Sequence, residues 1–84
     1  MIDKGEHIMK EKLTALLQEN FSEIDFTESD ALVDDGILES MTLVEIIATI
    51  ALELGITIPY EEVIPQNFNS IAAMAAMLER LEEA

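Results

Sequence analysis

Apolar residues recur at helical spacing in three stretches of the chain and lose that period between them. In the first, Met9, Leu13, Leu16, Leu17 and Phe21 fall on one face, while Glu6, Lys10, Glu11, Thr14, Gln18 and Glu19 take the others. The spacing predicts an amphipathic helix over about Asp3 to Asn20. The second stretch, Ser40 to Leu54, is apolar nearly all round: Met41, Leu43, Val44, Ile46, Ile47, Ala48, Ile50, Ala51, Leu52 and Leu54. Gly55 ends it where a left-handed residue commonly stops a helix. Such a helix is either central to a core or leaves an apolar surface for a partner, and in so small a chain part of it is expected to stay exposed for docking. The third stretch places Ile71, Met74, Ala75, Leu78 and Leu81 on the inner face of a last helix, which Asn69 or Ser70 can cap. Ala72, Ala73, Ala75 and Ala76 make that helix thin and suit it to close packing.

The residues between these helices carry turn and anchor signals. Phe21 to Glu39 has no sustained period but holds apolar anchors at Ile24, Phe26, Leu32, Val33, Ile37 and Leu38. A loop this long in a small domain is usually functional or poorly ordered, and the anchors favour a functional one. Ile56, Thr57 and Ile58 have β character, but bounded by Gly55 and Pro59 they read as a connector. Pro59 suits the first turn of a short helix, with Glu61 and Glu62 at its favourable end and Val63 and Ile64 pointing inward. Pro65 to Phe68 is expected to be a loop anchored by its phenylalanine. The expectation is an all-α fold: a small, irregular bundle of three principal helices plus one short helix, with a long loop between the first two. Residues 1–84 form a single domain in this reading, one that buries about 60 to 65 per cent of the unfolded chain's surface.

One hydroxyl stands at the start of the second helix. Asp35 and Gly36 favour a turn, and Ile37, Leu38 and Glu39 then deliver Ser40 to the helix. The first amides of a helix lack partners and its dipole is positive there, which favours an anion such as a phosphate ester on the serine oxygen. A plain N-cap would equally place a serine at this position. Leu43, three residues on, cannot complete a capping box, and Glu39 or Asp35 could supply a capping carboxylate and leave the hydroxyl free.

Charge and composition narrow the chemistry. The formal net charge is −14, and the four basic residues, Lys4, Lys10, Lys12 and Arg80, all lie near the termini. Nucleic-acid binding needs clustered Lys and Arg, so positively charged protein partners are expected instead, met quickly through long-range attraction. No apolar run reaches the roughly 18 residues of a membrane span and no signal peptide is evident, so the chain reads as soluble and cytoplasmic. Without cysteine it has no thiolate of its own, and any thiol chemistry must come from an attached group.

An active site is hard to assemble from what remains. The single histidine, His7, reads as a surface residue of the first turn and is too isolated to complete a triad with Ser40 or to anchor a metal site. If Gly36 were the sixth position of a calcium loop, Ala31, Val33 and Thr42 would stand where oxygen ligands belong. Gly5, Gly36 and Gly55 are too far apart for a phosphate-binding loop. No metal site, no catalytic residue and no enzyme activity is therefore expected.

The run Asp35, Gly36, Ile37, Leu38, Glu39, Ser40, Met41, followed by Leu43, Val44, Glu45, Ile46 and Ile47, resembles the attachment motif of the acyl carrier protein family. The likeness covers nearly the whole chain, through the Gly55 to Pro59 connector, the short helix around Glu61 to Ile64, and Phe68 to Ile71. It implies a four-helix bundle in which Ser40 receives phosphopantetheine from coenzyme A through a magnesium-using transferase. The arm's thiol would then carry acyl or aminoacyl groups as thioesters. Its partners would be that phosphopantetheinyl transferase and loading ligases or synthases with basic docking surfaces, met through Glu39, Met41, Val44 and Glu45. The chain would work as a monomer, without membrane insertion.

The chain departs from the family pattern where Glu39 replaces the usual aspartate, and where Thr42, Ala51 and Leu52 occupy positions often charged. Recognition is thus expected to be more apolar than in a typical fatty-acid carrier. The Gly36 to Ser40 run is also similar to stand-alone carriers of amino acids, such as the D-alanine carrier, and to peptidyl carrier domains. Two rival readings need no attachment: an unmodified acidic helical module regulating a basic partner, and an acidic mimic of nucleic acid.

Overall fold

The computed structural model describes residues 4–83, with side chains from residue 8 to residue 83. All regular elements among them are helical: α1 (Lys4–Asn20), α2 (Ser40–Leu54), a 3-10 turn (Tyr60–Glu62), α3 (Pro65–Phe68) and α4 (Ile71–Glu83). The expected start of α1 at Asp3 and the side chain of His7 lie outside the described residues. The α1 stripe is buried throughout, with Leu13 and Leu17 fully enclosed. Facing it, α4 contributes Met74, Ala75 and Leu78 as its spacing predicts, and also Met77, which the inner-face pattern omitted. Ile71 and Leu81 pack at the edge of this core.

Gly55 closes α2 in the left-handed conformation, φ 69°. Behind it, Ile56 and Ile58 bury their side chains without forming a strand, so the connector is as expected.

The short helix expected from Pro59 forms as the single 3-10 turn Tyr60–Glu62, with Glu61 and Glu62 in it, but its inward residues are not as expected. Pro59 is extended and precedes the 3-10 turn, and Val63 and Ile64 are 37% and 43% exposed where inward positions were expected. Residues 65–68, expected as a loop, form the single-turn α3 with Pro65 at its start. The residue before a proline is pushed toward extended backbone, and Ile64 has φ −130° and ψ 152°. The helical turn can therefore start only at Pro65, whose fixed φ suits a first helical position. Phe68 is fully buried, as its anchoring role requires. Asn67 Nδ2 donates to the Glu62 carbonyl at 2.8 Å, and Arg80 of α4 lies 3.3 Å from the Glu62 carboxylate, so the turn and α3 are tied to the end of the chain.

The loop between α1 and α2 is held by Phe26, Leu32 and Leu38, all buried, with Ile24, Val33 and Ile37 packed against them. One of its turns closes on Asp25, whose carboxylate accepts from the hydroxyl and amide of Thr27. Those two bonds hold the Asp25 carboxyl below its ordinary pKa.

A β-carbon added at Gly55 would meet nothing within 4 Å, so an alanine there suffers only from its backbone conformation. Gly55→Ala is expected to cost about 1–2 kcal/mol in unfolding free energy, read from a denaturant titration.

Candidate functional site

The segment that leads into α2 is built from individually placed hydrogen bonds. Asp35 N–H donates to the Ala31 carbonyl at 2.7 Å, Gly36 N–H to Val33 at 3.0 Å, and Leu38 N–H to Leu32 at 2.9 Å. Gly36 takes φ 79° in this turn, a conformation that glycine adopts without steric cost. The Ser29 hydroxyl donates to the Asp35 carboxylate and accepts from the Ala31 amide.

These bonds decide how α2 starts. Glu39 is its N-cap residue, with extended backbone and no side-chain hydrogen bond to the helix. Neither expected carboxylate cap forms: Asp35 is engaged by Ser29, and the longer Glu39 side chain makes no cap. The reading of Ser40 as a plain N-cap is corrected as well, because Ser40 is the first helical residue. Leu43 N–H makes the first bond of the helix, to the Glu39 carbonyl at 2.9 Å. Among the described residues, no carbonyl or side chain meets the amides of Ser40, Met41 and Thr42. The Ser40 side chain is exposed and likewise makes no hydrogen bond among them. A free hydroxyl thus stands beside three open amides at the positive end of a 15-residue helix.

Below Ser40, α2 divides into two faces. Ile46 and Ile50 are fully buried, with Leu43, Ile47 and Leu54 packed beside them. The outer face carries Met41 at 76%, Val44 at 62% and Leu52 at 85% exposure, with Ala48 and Ala51 between them also open. Val44 lies one turn beyond Ser40 and Glu45 one turn beyond Met41, so residue pairs four apart put the hydroxyl, the apolar side chains and Glu45 on neighbouring surface. The structure therefore brings Ser40, Met41, Val44 and Glu45 together and leaves Glu39 exposed at the helix entrance. Ala48, Ala51 and Leu52 extend this face farther than the sequence reading assigned. Their helical spacing from Met41 and Val44 is the signal that marks them.

A shallow cavity of about 390 Å³ opens among Leu54, Ile56, Pro59 and Leu81, at the opposite end of α2 from Ser40. No group of three or more potential metal ligands occurs among the described residues. No helix among them is long and apolar enough to cross a membrane.

The described residues thus form a small helical fold with a free hydroxyl at the head of a half-exposed apolar helix. Comparison with known proteins narrows the class. No protein-family model matches the chain. It is 36% identical to aminoacyl carrier protein 2 of Bradyrhizobium diazoefficiens over 64 residues, which cover 76% of this chain and 71% of that one. With aminoacyl carrier protein 1 of the same organism it shares 35% identity over 63 residues, 75% of this chain and 69% of the relative. The chain belongs to the acyl carrier protein family. Its kin are carriers rather than enzymes.

Because Met41 and Val44 already face water, replacing both with serine is expected to change the unfolding free energy by less than about 0.5 kcal/mol. Ile46→Ser is expected to remove most of the folded population, since it puts a hydroxyl into the core. Thermal unfolding followed by circular dichroism distinguishes the two outcomes.

Proposed function

We propose that Ser40 carries phosphopantetheine and that the loaded protein presents aminoacyl groups to partner enzymes. The observation that supports this reading is the unengaged Ser40 hydroxyl at the open first turn of α2. A phosphodiester fits the residues present there. The amides of Ser40, Met41 and Thr42 remain available to its oxygens, and the helix dipole favours its charge.

In the loading reaction Ser40 Oγ gives its proton to a base of the transferase and bonds to the coenzyme A phosphorus that bears the pantetheine. The bond from that phosphorus to the bridging oxygen of the nucleotide would break, and adenosine bisphosphate would be the leaving group. Bound phosphopantetheine supplies a flexible arm and a terminal thiol that can hold a carboxylic acid as a thioester. This chain contributes no catalytic group to that chemistry. Its residues position the anchoring oxygen and recognise the enzymes that visit.

Recognition follows from the outer face of α2. Glu39 and Glu45 flank an apolar strip of Met41 and Val44, which suits partners with basic residues around an apolar contact. The net charge of −14 speeds such encounters and opposes association of the carrier with itself. The names of both relatives favour an amino acid as cargo over a fatty acyl chain.

Incubation with coenzyme A, magnesium and a broad-specificity transferase is expected to raise the intact mass by one phosphopantetheine. Ser40→Ala is expected to gain none. Wild-type protein left unmodified while a control carrier is loaded would sink the reading and leave the unmodified interaction module in its place.

A further inference from the structure

We propose that Asn69, far from Ser40 in sequence, is a positioning residue for the attachment site, an inference that rests on the carrier reading of Ser40. Its side chain makes three hydrogen bonds to the loop. Oδ1 accepts from the amides of Val33 at 2.9 Å and Asp34 at 3.2 Å, and Nδ2 donates to the Asp34 carboxylate at 2.9 Å. Its backbone carbonyl accepts from Leu32 N–H at 2.8 Å. Three consecutive loop residues are therefore fastened to one asparagine.

The fastening reaches Ser40 in two further steps. The Leu32 carbonyl accepts from Leu38 N–H, and Leu38 is followed directly by Glu39, whose carbonyl receives the first bond of α2. Asn69 itself stands on a rigid post. Phe68 before it is fully buried, and Ser70 after it caps α4 by accepting from the Ala73 amide at 3.0 Å. The head of α4 thus sets where the loop delivers the hydroxyl.

The residue type matters. Asp34, Asp35 and Glu39 crowd negative charge onto the approach to Ser40. A carboxamide meets two amide donors and one carboxylate acceptor without adding charge, which an ionised aspartate, an acceptor only, cannot do. An aspartate at position 69 would keep the two accepted bonds but face the Asp34 carboxylate with a like charge.

The test is the steady-state rate of phosphopantetheine transfer to Ser40 in the full-length chain. Asn69→Ala and Asn69→Asp are expected to lower kcat/KM roughly tenfold, as misplacement of a reacting atom does. Asp34→Asn leaves an acceptor for Asn69 and is expected to stay within about twofold of wild type. The double variant Asp34→Asn with Asn69→Asp restores donor and acceptor in reverse, and is expected to recover most of the lost rate. Leu81→Ala, at the far end of α4, serves as a destabilised control that loads at the wild-type rate at a temperature where all variants are folded. Amide exchange of Leu38 is expected to accelerate in Asn69→Ala and not in Leu81→Ala.

Asn69 variants that load as fast as wild type would overturn the positioning role and leave the Ser40 reading intact. Failure of the double variant to recover, or an equal loss in Leu81→Ala, would also overturn it. A wild-type chain that accepts no group overturns the carrier reading itself, even where the exchange data confirm the clamp.

Discussion

Nineteen residues without a repeating hydrogen-bond pattern connect α1 to α2, and holding them in one conformation is the constraint on which the start of α2 depends. A helix satisfies its own backbone, whereas a loop needs a separate partner for each buried donor. Here the partners come from within the loop and from the junction of α3 and α4. Apolar anchors supply the remainder: Phe26, Leu32 and Leu38 bury into the same core as Leu17, Phe68 and Met74. The loop is held by the core and by α4 at once, so its end at Glu39 does not depend on α2 alone.

How much of this the sequence disclosed follows the physics of each element. Helices α1 and α2 were legible because burial on one side, or on most sides, imposes a period that a chain with few breakers displays directly. The Ser40 start was legible from Asp35 and Gly36, whose turn chemistry is local. Met77 lies three residues beyond Met74 and so shares the buried side of α4, which the stripe of five inner residues did not include. The turn after Pro59 was legible from that proline and the two glutamates, whereas the second turn at Pro65 is so short that no period marks it.

What stayed hidden was chiefly long-range. An asparagine or serine before a helix usually caps it, so the sequence offers Asn69 and Ser70 equally as caps of α4. The structure uses both: Ser70 caps, and Asn69 turns its amide toward residues 35 and 36 positions earlier in the chain. No spacing rule relates those positions. The same holds for Asp35, whose carboxylate accepts from the Ser29 hydroxyl and does not cap α2.

Among the described residues, the Ser40 side chain makes no hydrogen bond that the α2 entrance depends on. Asp34, Asp35, Ser29 and Asn69 are each committed to the local fold, and the helix begins with Glu39 as its cap residue whether or not position 40 has a hydroxyl. Chemistry at that oxygen is therefore uncoupled from folding. A finished chain can be altered there without loosening its own scaffold, and a lineage that lost the serine would inherit an intact acidic helical body. If Ser40 carries the arm proposed above, selection on position 40 acts through what the oxygen does for other proteins, and hardly at all through what it does for this one.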